Sequence, residues 1–144
     1  QFEAQAAAYF GVKHAIVVNS WTSGLIAAVG AIGLEPGDEI ITTPWTMAAT
    51  ATTILHWNGI PVFADIDSET FNICPKSVEQ LVTNRTKAIF AVDIFGQSAD
   101  MAALRMATGP SGSTGDMNLE VRTKIYSCPY LPFPQNHFSV VHQL

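Results

Sequence analysis

Short apolar runs alternate with helix-forming stretches along residues 1–106, and this alternation constrains the fold more than any other feature of the chain. Each run is bounded by turn residues and is long enough for a strand that is buried on both faces of a sheet. The predicted strands are His14–Val18, Ile40–Thr43, Ile60–Ala64 and Thr86–Val92. The predicted helices are Leu25–Leu34, Met47–Trp57, Pro75–Leu81 and Ser98–Met106. The pattern predicts an α/β fold with a parallel sheet, in which ligands bind at the carboxyl ends of the strands.

The segment Asn19–Gly24 joins the first predicted strand to the first predicted helix and consists mainly of small polar residues. Such a junction leaves free N–H groups at the positive end of the helix dipole, where an anion, most often a phosphate, is stabilised. The glycine spacing of a dinucleotide site and the Gly-Lys-Ser/Thr ending of a P-loop are both missing, so neither site is indicated. The alternative interpretation is an ordinary helix cap by Asn19, Ser20 or Thr22.

Composition narrows the possible functions. The net charge is −5 and the lysines and arginines form no cluster, which argues against nucleic-acid binding. No apolar run reaches the length of a transmembrane helix, so no membrane partner is expected. The two cysteines, Cys74 and Cys128, do not make a disulfide framework, and a cytoplasmic location is the simplest interpretation.

Three ordered stretches of the chain resemble the DegT/StrS sugar aminotransferases, a family of fold-type-I enzymes that depend on pyridoxal phosphate (PLP). The stretches are FEAQAAAYFGVKHAIVVNSWTSGL, GLEPGDEIITTPWTMAATATTILHWNGIPVFADID and TFNICPKSVEQLVTNRTKAIFAVDIFGQSADM. The resemblance covers Gln1 to Met106. It implies that residues 1–107 are part of a cofactor-binding large domain, a partial three-layer sandwich with a mostly parallel sheet.

The resemblance also implies roles for individual residues. Ser20, Trp21, Thr22 and Ser23 match the segment that holds the cofactor phosphate through backbone N–H groups and a hydroxyl, and many relatives have Gly or Cys at the position of Trp21. Met47 falls where many relatives stack an aromatic ring on the pyridine of PLP, and Trp45 is expected to share that role or to be a core aromatic. Gln97 matches a position that lines the substrate side of the site. Asp93 stands where relatives often have His, with a turn or helix-capping carboxylate as the alternative.

The implied activity is transfer of an amino group from an amino acid, commonly glutamate, to a keto-sugar nucleotide. This reaction belongs to polysaccharide or secondary-metabolite sugar biosynthesis, and the full-length relatives are homodimers with PLP as the cofactor. The chemistry requires a lysine that bonds covalently to PLP and a carboxylate against the pyridine nitrogen. In the family both follow the matched part, so no catalytic residue is assigned here, and the chain alone is expected to be inactive.

Two other function classes stay open. A relative that lacks the PLP-bonding lysine would bind a ligand or partner without chemistry, and an unrelated α/β domain would bind another phosphate ligand at the same turn. Of the four lysines, Lys124 lies in the unmatched part and has no support for this role; the other three match surface or strand-edge positions. Those three are Lys13, Lys76 and Lys87.

Residues 108–144 match no part of the family and are predicted to be an irregular tail that does not complete the sheet. Gly109–Gly115 is rich in Gly, Ser, Thr and Pro and indicates a loop, while the prolines of Cys128–Pro134 disfavour a helix or an inner strand. Val121–Tyr126 is a possible short strand. Cys128, His137 and His142 fit no zinc spacing well, so no metal site is predicted. The change of pattern suggests a truncated or frameshifted version of a longer gene.

Overall fold

The computed structural model describes residues 1–11, 13–107, 120–122 and 142–143, the last two short segments by their backbone only. Its helices are α1 (Phe2–Phe10), α2 (Trp21–Ala31), α3 (Ala49–His56), α4 (Pro75–Leu81) and α5 (Met101–Ala107). Its strands are β1 (Glu39–Thr42), β2 (Ile60–Phe63), β3 (Thr86–Ala91), β4 (Glu120–Arg122) and β5 (His142–Gln143). A 3-10 turn, Ile94–Gly96, follows β3.

The described strands form one sheet in the order β2-β1-β3-β4-β5. Strands β2, β1, β3 and β4 run parallel to one another, whereas β5 pairs with β4 in the antiparallel direction. Strand β1 therefore lies between β2 and β3, although all three are separated by helices in the chain. The mostly parallel α/β sheet expected from the alternation of strands and helices is confirmed.

Two separate hydrophobic clusters show that the sheet is covered on both faces. Ile40 packs with residues of α2 and α3, and the adjacent Ile41 packs with residues of α4 and α5. The same alternation occurs in β3, where Phe90 belongs to the first cluster and Ala91 to the second. Because successive side chains of a strand point to opposite faces, these contacts define a helix–sheet–helix arrangement of three layers.

Local sequence signals explain where several helices begin. Pro75 occupies the first turn of α4, where its missing N–H costs nothing, and this helix has the predicted bounds Pro75–Leu81. Helix α5 begins at Met101 rather than at the predicted Ser98, because the carboxylate of Asp100 accepts the N–H of Ala103 at 3.0 Å. Such a bond is typical of a residue just before the first helical turn.

The prediction of a strand at His14–Val18 is wrong. These residues have no strand conformation and pair with no strand among the described residues. The N–H of Val17 instead donates to a carboxylate oxygen of Glu3 at 2.9 Å, and Ile16 is 67% exposed. A buried strand depends on neighbours that accept and donate its backbone hydrogen bonds, and an apolar run alone does not supply them.

The prediction that residues after Met106 do not complete the sheet is wrong for the short segments described there. Glu120–Arg122 (β4) pairs in parallel with Ile89–Ala91 of β3. His142–Gln143 (β5) pairs with β4 in the antiparallel direction. The possible strand at Val121–Tyr126 is found only at the start of that range, where β4 begins one residue earlier, at Glu120. The loop Gly109–Gly115, the proline-rich Cys128–Pro134 and His137 lie outside the described residues.

A group of charged and polar side chains marks the amino edge of the sheet. Glu39 is buried at the start of β1 and accepts hydrogen bonds from the guanidinium of Arg85 and the hydroxyl of Thr83. Nearby, the ammonium of Lys87 lies 3.7 Å from the carboxylate of Asp38. Since a buried carboxylate needs such partners, these contacts stabilise the amino edge of the sheet.

Candidate functional site

Three loops and one helix terminus lie at the carboxyl edge of the sheet. Because β1, β2 and β3 are parallel, the loops that follow them leave the same edge. Helix α2 ends at Ala31, shortly before β1 begins at Glu39, so its carboxyl end lies toward the amino edge of the sheet. The amino end of α2 therefore points toward the carboxyl edge, where the sequence predicts the ligand.

Ser20 caps α2. Its backbone is extended, with φ −158° and ψ 159°, and its Oγ accepts the N–H of Ser23 at 3.1 Å. The hydroxyl of Ser23 donates to Oδ1 of Asn19 at 2.8 Å, which ties the turn together from the other side. The interpretation of Ser20 as a helix cap is confirmed, and the helix begins earlier than the predicted Leu25.

The cap leaves two backbone donors open. Within residues 13–107, no group accepts the N–H of Trp21 or of Thr22, whereas the N–H of Gly24 donates to the carbonyl of Ser20 at 3.1 Å. Open N–H groups in the first turn of an eleven-residue helix, next to the Thr22 hydroxyl, have the chemistry that a phosphate group requires. The residues present therefore fit the phosphate of PLP.

The side chain of Trp21 packs into the core and not over the open N–H groups of α2. Its side chain is half-buried and packs against the cluster that contains Leu25, Val29 and Phe90. The ring thus contributes to the core, while its backbone N–H remains at the helix terminus. A large residue at this place is compatible with close approach of an anion to the backbone.

The loop after β1 exposes both residues predicted to cover the cofactor ring. Trp45 is 49% exposed and Met47 is 65% exposed, so the alternative of Trp45 as a core aromatic is wrong. The Trp45 N–H donates to the hydroxyl of Thr43 at 3.1 Å, and its ring lies 6.3 Å from that of Phe71, measured between centroids. The loop thus leaves about half or more of the Trp45 and Met47 side chains exposed.

The loop after β3 carries Gln97, whose side chain is exposed. Asp93 accepts the N–H of Ala99 at 2.9 Å, which confirms the alternative interpretation of Asp93 as a turn carboxylate. Gln97 follows two residues with left-handed backbone, Phe95 at φ 53° and Gly96 at φ 83°. A left-handed phenylalanine is rare, and such conformations persist only where surrounding contacts hold them.

Sequence reasoning missed Phe71 and Asn72, on the loop after β2. Asn72 is 4% exposed and bonds to both ends of the Ile94–Gln97 turn, and Phe71 contacts Trp45. The sequence signal was a single asparagine between apolar Phe71 and Ile73, a place where an amide is buried only with partners. Those partners lie more than twenty residues away in the chain.

The same loop holds a carboxylate whose titration can be followed. Oδ1 of Asp67 accepts the N–H and the hydroxyl of Thr70, at 2.9 and 3.0 Å, and the N–H of Glu69 at 3.1 Å. These bonds hold the pKa of Asp67 below its ordinary value of 3.8, and the bond from the Thr70 N–H contributes most. The folded state favours the ionised form, so its stabilisation is present above pH 3.8 and is lost as the pH falls through the lowered pKa.

Replacing Thr70 by Val should therefore raise the pKa of Asp67 toward 3.8, because one donor to the carboxylate is removed. An NMR titration of the Asp67 side-chain carbon measures this shift directly. Thr52→Val, on the exposed side of α3, is the control and should leave the pKa of Asp67 unchanged. Equal pKa values in the Thr70→Val variant and the unmodified chain would contradict the assignment.

The described residues contain neither a metal-ligand group nor a membrane-spanning helix. No group of three or more His, Cys, Asp or Glu in that part of the chain is placed to hold a metal ion. No helix among those residues is long and apolar enough to cross a bilayer.

Comparisons with known proteins agree with this architecture. The model of the DegT/DnrJ/EryC1/StrS aminotransferase family matches residues 1–109. The spore coat polysaccharide biosynthesis protein SpsC of Bacillus subtilis (strain 168) is 53% identical over 104 residues, which are 72% of this chain and 27% of that protein.

Two solved structures show the same fold. 3-Amino-5-hydroxybenzoic acid (AHBA) synthase matches with a TM-score of 0.71 and 34% identity, over 74% of this chain and 28% of that one. GDP-4-keto-6-deoxymannose-3-dehydratase with a trapped PLP-glutamate geminal diamine matches with a TM-score of 0.72 and 29% identity, over 80% of this chain and 31% of that one. The chain therefore spans about a quarter to a third of the length of these relatives. With the family model matching residues 1–109 and the fold shared with solved members, the chain belongs to the DegT/DnrJ/EryC1/StrS aminotransferase family.

Proposed function

We propose that this chain is part of a PLP-dependent aminotransferase that transfers an amino group from an amino acid to a keto-sugar nucleotide. Family membership over residues 1–109 carries the proposal, and the two open N–H groups at the start of α2 support it. A relative named GDP-perosamine synthase, from Caulobacter vibrioides, and the dehydratase above both bear the name of a GDP-linked sugar. The proposed role is in polysaccharide or secondary-metabolite sugar biosynthesis.

When bound, PLP supplies the electron sink that amino-group transfer needs. Ser20, Trp21, Thr22 and Ser23 would hold its phosphate, with the N–H groups of Trp21 and Thr22 as donors and the helix dipole adding positive potential. Trp45 and Met47 would cover the ring and exclude water, because an aromatic face and a thioether both pack on apolar surfaces. Gln97 would orient the sugar substrate with its amide, which both donates and accepts hydrogen bonds.

The remaining parts of the proposal concern the complete enzyme. Its partners would be small molecules, an amino-acid donor and a keto-sugar nucleotide, and no nucleic acid or membrane. We propose a homodimer in the cytoplasm, consistent with the exposed apolar side chains of the carboxyl-edge loops and with two cysteines in the chain.

One observation favours a second candidate, a relative that binds its ligand without chemistry. No described lysine is seen bonded to a residue of the site loops: Lys87 pairs with Asp38 at the amino edge, and the side chains of Lys13 and Lys76 are exposed. We expect this chain alone to have no aminotransferase turnover, and borohydride reduction in the presence of PLP to label no lysine specifically. Stoichiometric labelling of one lysine would contradict this expectation.

The binding test uses a titration of the 144-residue chain with PLP, followed by absorbance and by quenching of tryptophan fluorescence. Thr22→Val should weaken PLP binding about tenfold, because a hydrogen bond to a charged group contributes roughly 1.5 kcal/mol or more. Thr22→Ser retains the hydroxyl and should bind as the unmodified chain does. Inorganic phosphate should compete. Equal affinity of the valine and serine variants, or no competition by phosphate, would overturn the assignment of the phosphate to this turn.

A further inference from the structure

The carboxamide of Asn72 connects the loop after β2 to the turn after β3. Its Oδ1 accepts the N–H of Ile94 at 3.1 Å, and its Nδ2 donates to the carbonyl of Gln97 at 3.2 Å. These two contacts lie at the two ends of the turn that contains left-handed Phe95 and Gly96. One buried side chain thus bonds to both ends of a turn whose backbone conformation is unfavourable for Phe95.

This connection crosses the middle of the three strands β2, β1 and β3. Strand β1 lies between β2 and β3, so Asn72 spans the carboxyl edge of the middle strand to reach the Ile94–Gln97 turn. Its own backbone is held by the N–H of Asp67, which donates to the Asn72 carbonyl at 2.8 Å, and by the bridge between Ile66 and Ile73. Asn72 is therefore a fixed point, and the turn is positioned against it.

The residue before it contacts the third loop of the site. Phe71 has φ 60°, a left-handed conformation that a phenylalanine rarely adopts, and its ring lies 6.3 Å from that of Trp45. The contacts of Asp67 with Thr70 and of Asn72 with the turn hold the backbone on both sides of Phe71. Strain maintained in this way at the edge of a site indicates a functional constraint.

We propose that Asn72 is a positioning residue that holds the Ile94–Gln97 turn so that Gln97 faces the keto-sugar nucleotide. The inference rests on the proposed function for its substrate. Asn72 itself touches no reacting group. It acts through the turn, since loss of its amide would free Gln97 to adopt other positions while leaving the phosphate turn at α2 intact.

The first experiment measures amide hydrogen exchange in the 144-residue chain by NMR. Asn72→Ala should speed exchange of the Gly96 and Gln97 amides, which donate to Asp93 and Ile94 in the closed turn, about tenfold or more relative to the Phe90 amide. Asn84→Ala removes the same side chain from an exposed position near the amino edge and should change none of these rates. Ile40→Val, in the buried core, should lower the protection of core amides such as that of Phe90, with no selective change at Gly96 and Gln97.

The second experiment separates positioning from stability by titrating two ligands. With GDP-4-keto-6-deoxymannose as the probe, Asn72→Ala should weaken binding about tenfold, as Gln97→Ala should, while PLP affinity changes less than twofold. Ile40→Val should affect both ligands equally.

The outcomes test the positioning role of Asn72 and the proposed function separately. Unchanged exchange of the turn in Asn72→Ala, or equal weakening of both ligands, would overturn the positioning role. If the unmodified chain binds neither PLP nor the sugar nucleotide, the proposed function fails and the substrate role of Asn72 fails with it. The exchange rates would still show whether Asn72 holds the turn.

Discussion

Replacing Phe90 by alanine should strongly destabilise the fold. Phe90 is 1% exposed in β3, a strand with neighbours on both sides, and packs with residues of α2 and α3. Truncating a buried phenylalanine loses its transfer free energy and leaves a cavity, at a cost of about 3–5 kcal/mol. Domains are commonly stable by roughly 5–15 kcal/mol, so urea unfolding followed by circular dichroism should show a large fall in the midpoint.

Phe95→Ala provides the matched control because it removes the same atoms from a side chain that is 82% exposed. Its free energy of unfolding should lie within about 0.5 kcal/mol of that of the unmodified chain. Similar losses from the two substitutions would mean that Phe90 is not part of a packed core.

Replacing Gly59 by alanine should also destabilise the fold, by about 1–3 kcal/mol, although it adds only one methyl group. A Cβ at this position would lie 2.4 Å from Cδ2 of Leu34 and 3.0 Å from Cγ2 of Ile54, both buried in the core. The neighbours can make room only by leaving their packed positions. The measurement is again the free energy of unfolding in urea.

A double-mutant cycle identifies the cause of that loss. In a Leu34→Ala background the nearest obstructing atom is absent, so Gly59→Ala should cost at least 0.5 kcal/mol less than it does in the unmodified chain, a typical coupling for residues in contact. The same cost in both backgrounds would show that contact with Leu34 does not limit position 59.

Asn58 and Gly59 show how far local sequence reasoning reaches. The pair predicts the end of a helix, and α3 does end before it, at His56. The left-handed residue is Asn58, with φ 58°, and not the glycine. Gly59 is required because the chain passes close to Leu34 there, a contact between segments that no local pattern reveals.

Residues that depend on near neighbours in the chain were predicted well from the sequence. The cap at Ser20, the helix Pro75–Leu81 and the turn carboxylate of Asp93 all follow from contacts within six residues. The alternation of strands and helices predicted the parallel three-layer fold, because period and composition decide which faces are buried.

The tertiary structure decided which segments pair and which polar groups meet. His14–Val18 is as apolar as the true strands, yet it forms no strand because no described strand lies beside it, while Glu120–Arg122 joins the sheet through Ile89–Ala91. The bridge from Asn72 to the Ile94–Gln97 turn likewise depends on the strand order β2-β1-β3. By itself the sequence determined most of the helices and strands and the faces that they bury, since these follow from short-range periodicity, and His14–Val18 is the exception. Strand partners and the loops of the site depend on contacts between distant residues, which only the folded chain brings together.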